Sequence, residues 1–417
     1  MLTKLYFVAL LLYRSLRKRG RLNPQTQPFT TPERRPACEM VRFVLGFCLL
    51  ALTPVYAQVP ATIADQLSTE EHLAKPGWWP RKGDASRTDY VGAEVCAQCH
   101  SALANGQKQH AMAHTSMRAA QADALARKTE FKLGPFDYQI TPQSGTATYT
   151  VTGNGGSFSA PILWAFGSGN RGQSLLFQHN GDFYEARISF FHNLGFDITP
   201  DHPKTVPDSL ENALGREISA EEAPSCFGCH STASSTNNRL DASHFIPGIS
   251  CEGCHGPGAA HVAAASAGTA ENPGMTFNPG RLNPSASVDF CGACHRTWWD
   301  INRLGYRGIQ NARFPVYRPE GSKCWGKDDP RITCIACHDP HKPLVKELSA
   351  YDEKCLSCHV TAAGSKPSAD HPGNACPVSQ SKCVSCHMPQ YEIPKMHAPF
   401  TDHRIRIVKD ASSFPDA

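Results

Sequence analysis

Cys251-Glu252-Gly253-Cys254-His255-Gly256-Pro257-Gly258-Ala259-Ala260-His261 holds two thiols three positions apart, with a histidine directly after the second. Cys-x-x-Cys-His is the attachment signature of a c-type haem: the thiols add to the porphyrin vinyl groups and the His ligates the iron. The same pattern occurs seven times, at Cys96–His100, Cys226–His230, Cys251–His255, Cys291–His295, Cys334–His338, Cys355–His359 and Cys383–His387. Zinc ribbons also use Cys-x-x-Cys pairs but need no His after the second Cys. Here every such pair has one. The expected cofactor is seven covalently bound haem c. The thioether positions are Cys96, Cys99, Cys226, Cys229, Cys251, Cys254, Cys291, Cys294, Cys334, Cys337, Cys355, Cys358, Cys383 and Cys386. The proximal iron ligands are His100, His230, His255, His295, His338, His359 and His387.

An iron has a second axial position, and what fills it separates a carrier from an enzyme. Twelve His lie outside the motifs, so supply exceeds demand. The distal candidates are His261, His341, His403, His371, His397, His110 and His114. The Gly-Pro-Gly turn after His255 throws His261 onward to a neighbouring haem. His341, in His-Asp-Pro-His, is too close to His338 to reach the other face of that iron and serves another haem. His110 and His114 are four apart on one helical face, one a ligand and one its neighbour. Met388 directly follows a motif His and cannot reach over that haem. Bis-His ligation is expected to dominate.

The first motif is followed by a long gap; the other six crowd between Cys226 and His387. So little chain per haem cannot build an ordinary core around each, so porphyrins must supply much of the apolar interior. Thirty-two Pro and 32 Gly agree with loops. The expected fold is mainly α with extensive loops, a multihaem cytochrome c architecture with a small antiparallel β insertion between the first and second motifs. Ser101–Lys128 reads as helix because it is rich in Ala. Thr146–Val151 alternates like a half-buried strand, and Asn180-Gly181 is a hairpin turn. Ser219–Glu222 reads as a capping box. The expected organisation is a leader over 1–57, an N-terminal segment over 58–130 with one haem, the β insertion over 131–200, a six-haem region over 201–405 and a tail over 406–417. The whole of Phe400–Ala417 reads as exposed.

Met40–Ala57 reads as a secretory signal, with Arg42, the apolar run Phe43–Leu52 and Val55-Tyr56-Ala57 before the cut. Residues 1–39 read as a start called too early or a genuine extension. An uncleaved anchor is the alternative to a soluble periplasmic or exported protein. The leader holds nine Lys/Arg and two Asp/Glu, so the totals of 41 and 37 fall to 32 and 35 beyond it. That balance carries no basic footprint for nucleic acid and suits a basic redox partner, membrane-bound or periplasmic. Cys324 and Cys376 are left outside leader and motifs, as a disulfide or as two separate thiols.

Cys251–His261, Cys334–His341, Cys383–Pro389 and Thr401–Ile405 resemble segments of multihaem c-type cytochromes, and Tyr90–His100 resembles the start of a cytochrome c-552/c-554 type domain. The resemblance implies closely packed bis-His haems carrying electrons in the periplasm, with His261 and His341 as distal ligands. Seven motifs and the β insertion depart from the four-haem carriers. No Cys-x-x-Cys-Lys is present, against resemblance to pentahaem nitrite reductases. Electron transfer is the leading function. The alternative is a multihaem oxidoreductase acting on a small nitrogen or sulfur compound at one open-coordination haem.

Overall fold

The structure is a computed structural model that describes residues 85–236, 239–268, 277–325, 331–408 and 414. All of them fall in one compact unit, Val59–Ala417. The expected leader over 1–57 lies outside the described residues, and so do four further residues read as a surplus His or as packing side chains, His72, Trp78, Trp79 and Met275.

The mainly α fold is overturned: a ten-stranded antiparallel sheet runs from Ser116 to Ile218. Its strands are β1 (Ser116–Arg118), β2 (Thr129–Leu133), β3 (Phe136–Gln143), β4 (Thr146–Gly153), β5 (Gly156–Phe166), β6 (Gly172–His179), β7 (Asp182–Ala186), β8 (Ile188–Phe191), β9 (Gly195–Ile198) and β10 (Gly215–Ile218). The main path is β10-β7-β6-β5-β4-β3-β2, with β1 paired to β5 and β8 paired to β6 and β9. The helices are short; the longest described, Pro284–His295, has 12 residues.

Local chemistry explains the hairpins. Asn180 (φ 53°) and Gly181 (φ 95°) are both left-handed and close β6 onto β7 at the His179–Asp182 pair. Asn154 (φ 49°) and Gly155 (φ 78°) do the same between β4 and β5. Positive φ at both central positions is the type I′ signature, whose twist matches that of the strands. Along β3, Phe136, Tyr138 and Ile140 point inward; along β4, Ala147, Tyr149 and Val151 do so. Pairing Tyr138 with Val151 and Ile140 with Tyr149 stacks these residues on one face.

The expected Ser101–Lys128 helix stops at Lys108. Beyond it, β1 pairs with the end of β5, and Ala119, Ala122 and Leu125 enter the sheet core. Burial against the sheet overrides the helical preference of alanine.

Both faces of the central strands are buried. Ile162, Ala165, Leu175 and Phe177 join the internal core. Trp164, Phe166 and Leu176 face the other way, onto Phe227 and Phe245. Phe227 lies between the two thiols of the second motif, in helix Ala223–His230. Its complete burial contributes about 1.5–3 kcal/mol and fixes that motif to the sheet. Ser219 bonds the Glu222 N–H ahead of this helix, near the expected cap. A third cluster, Val288, Ile301, Val316 and Tyr317, packs beside Cys291 and Cys334. Among the described residues no helix is long and apolar enough to cross a membrane.

Candidate functional site

Each motif is wound as a turn of helix, so the two Cys and the His share one face. Outside the assigned helices the His N–H still returns to the first Cys carbonyl, at 2.9 Å for His100 and His359 and 3.0 Å for His338. The fourth motif ends the helix Pro284–His295, whose start is set by the Asn283 side chain accepting the Ala286 N–H at 2.8 Å.

Backbone carbonyls fix the ring tautomer at four motifs. Nδ1 lies 2.9 Å from the Thr115 oxygen in His230, 2.8 Å from that of Phe277 in His255, 2.9 Å from that of Asn374 in His359 and 2.9 Å from that of Arg406 in His387. A carbonyl only accepts, so Nδ1 carries the hydrogen and Nε2 keeps the lone pair that ligates a metal. His338 differs: its Nδ1 is 3.5 Å from the Tyr351 hydroxyl, which itself donates to the Val345 carbonyl at 2.9 Å.

Three motif imidazoles face a second imidazole. His100 and His261 stack with centroids 6.4 Å apart and planes 21° apart. His255 and His341 stand 6.0 Å apart at 16°. His338 and His403 stand 6.1 Å apart at 42°. Two imidazoles bound through nitrogen at about 2.0 Å on opposite sides of one metal have centroids about 6.3 Å apart. The spacing, the tautomers and the helical Cys pairs fit haem. Burial lowers the pKa of His255 and His338 and holds that of His403 down to about 4, favouring the neutral ring that ligates metal.

The other four distal candidates stack on no motif ring among the described residues, although His110 lies close enough to His338 to act on it electrostatically. His397 Nε2 is taken by Asp197 at 2.8 Å, and His114 Nε2 by the Lys108 carbonyl at 2.9 Å. His110 Nδ1 accepts the Met112 N–H at 3.1 Å, which leaves the hydrogen on Nε2. His371 is exposed, in the loop whose Gly373 packs against the His359 ring.

The motifs touch one another. The helices that carry the first and third motifs pack together, as do those of the fourth and fifth and of the sixth and seventh. Cys254 lies within electrostatic range of Cys291, and Cys337 of Cys355. The Cys229 Sγ is 3.5 Å from the Ala293 carbonyl of the fourth motif. Packing thus joins the first motif to the third, the second and fifth to the fourth, and the sixth to the seventh, while the third and fourth and the fifth and sixth lie within electrostatic range. Cys324 and Cys376 are both free thiols, and no disulfide joins them. A cavity of about 410 Å³ lined by Arg187, His202, Asn212 and Arg216 belongs to the sheet and meets no motif residue.

Sequence reasoning missed three carboxylates that fasten the motifs. Asp352, ahead of the sixth motif, accepts the Lys382 and Cys383 N–H groups at 2.7 and 2.8 Å and so caps the seventh. Asp402 is fully buried against Arg318, and Glu252 is buried inside the third motif. The sequence signal for Glu252 was its place between the two thiols.

Residues 201–256, with the second and third motifs, match the family described as Cytochrome c554 and c-prime. With this matched segment and its seven Cys-x-x-Cys-His motifs, the chain is similar to multihaem c-type cytochromes. Haem c is therefore its cofactor and electron transfer its general chemistry. Among solved structures, the outer cell wall cytochrome OcwA aligns with this protein at 14% identity, over 77% of this chain and 80% of that one, with a TM-score of 0.47. No curated protein matches it.

Proposed function

We propose that this is an exported, periplasmic heptahaem cytochrome that moves electrons through closely packed, mostly bis-His haems. Haem held at these motifs would supply reversible one-electron exchange between ferric and ferrous iron. The chain supplies position, ligands and burial. Fourteen Cys hold the porphyrin edges and seven motif His ligate from one side. His261, His341 and His403, which face the His of the first, third and fifth motifs, would supply the second ligand there. Carbonyls of Thr115, Phe277, Asn374 and Arg406 hold the rings in register and raise their basicity.

One observation carries the reading: three pairs of imidazoles distant in sequence stand 6.0–6.4 Å apart. The close approach of successive motifs supports a continuous route. The signal-like Met40–Ala57 supports export, and the acidic balance beyond the leader suits a basic membrane or periplasmic redox partner.

The test is haem quantification with spectra of the purified holoprotein. The reading expects seven haems per chain and a predominantly low-spin spectrum. A dominant high-spin component that binds cyanide or nitrite would favour an oxidoreductase for a small nitrogen or sulfur compound at an open haem.

A further inference from the structure

Glu252 is 2% exposed. Its Oε1 accepts the Val91 N–H at 2.9 Å and the Gly258 N–H at 2.8 Å; its Oε2 accepts the Gly92 N–H at 2.9 Å. Val91 and Gly92 lead into the first motif. Gly258 lies in the turn between His255 and His261. One side chain, set between the thiols of the third motif, therefore grips the start of the first motif and the turn that delivers His261 to His100. The short helices Ala93–Ala97 and Cys251–His255 pack together beside it, and a Cβ at Gly258 would come within 3.1 Å of its Oε1.

The cradle is built for a carboxylate. All three partners are N–H donors, and a carboxylate only accepts. A glutamine would turn an N–H₂ group against one of them. Among the described residues no Lys, Arg or His forms an ion pair with Glu252; Arg87, the nearest base acting on Tyr90, bonds instead the carbonyls of Tyr90 and His244. A buried charge stabilised by dipoles rather than by a counter-ion keeps its field.

We infer that Glu252 is a positioning residue whose fixed negative charge lowers the reduction potentials of the haems at the first and third motifs together. Nearby anionic charge favours ferric over ferrous iron, and net charge and burial are the levers that set haem potentials. The inference rests on the ligation reading for these two motifs.

The experiment is a spectroelectrochemical titration of wild type, Glu252→Gln and Glu252→Asp holoprotein, with His261→Ala and His341→Ala assigning the two couples. Glu252→Gln is expected to raise the reduced-to-oxidised ratio of both haems about tenfold at a fixed potential, a shift of about 59 mV for one electron. Glu252→Asp, which keeps the charge, should stay within about threefold of wild type. In the wild type the two couples should lie in the lower half of the seven, a result that needs no Glu252 variant. The inference is overturned if Glu252→Gln leaves both couples in place, if Glu252→Asp moves them equally, or if the wild-type couples sit highest. If His261→Ala and His341→Ala leave every haem low-spin, the ligation reading fails instead.

Discussion

His403 faces His338 across 6.1 Å, while three residues further on the Arg406 carbonyl holds Nδ1 of His387 at 2.9 Å. One short strap thus serves the open side of the fifth motif and the back of the seventh. It is not the exposed tail expected from residue 400 onward. Pro399–Thr401 pairs with Gln390–Glu392, Asp402 N–H bonds the Pro389 carbonyl, and Ile405 N–H bonds Ser322.

Replacing His403 with Ala should leave all haems attached, because the thioether Cys are untouched, and turn one haem high-spin. Absorption and low-temperature EPR spectra check this. A spectrum identical to wild type would remove His403 from the ligand set.

Asp402 anchors the strap. It is fully buried and takes Arg318 Nε at 2.9 Å and Nη2 at 3.2 Å, with Arg406 on the same carboxylate. Removing one partner of a buried pair strands the other charge. Asp402→Asn should cost about 3–5 kcal/mol in denaturant unfolding and broaden the signal of the haem at His338. A loss below about 1 kcal/mol would place the pair among weak surface contacts.

Phe227→Ala tests the docking of the sheet on the second motif. Phe227 is wholly buried against Trp164, Phe166, Phe183 and Phe245. The expected loss is about 3–5 kcal/mol. The first change on denaturant titration should be in the haem at His230, whose ring stacks on Phe166 at 4.7 Å and 9°. Simultaneous loss of all haem signals with no drop in midpoint would contradict it.

Gly181→Ala probes the hairpin. A Cβ there would meet no atom within 4 Å, so its cost lies in the positive φ alone. About 1 kcal/mol of destabilisation is expected in thermal unfolding, with haem spectra unchanged.

The motifs were fully legible because the chemistry demands contiguous residues, whereas which of the surplus His face motif rings, as His261, His341 and His403 do, depends on the fold. The sheet was legible only where polar and apolar residues alternate, as in Thr146–Val151, or where Asn-Gly marks a turn. Strands such as β1, β8, β9 and β10 have three or four residues, too few to show a period. β5 and β6 are buried on both faces, so Leu175-Leu176-Phe177 reads as an unbroken apolar run. The hydrogen bonds of His110 to Met112, His114 to Lys108 and His397 to Asp197 have no signature in the sequence pattern. The roles of Glu252 and Asp402 likewise depend on contacts with distant backbone and with Arg318.

The most direct test is iron-edge anomalous diffraction from crystals of the holoprotein. Seven iron peaks are expected, three of them midway between His100 and His261, His255 and His341, and His338 and His403. Fewer irons, or an iron at any of these three motifs with no imidazole on its second side, would contradict the account.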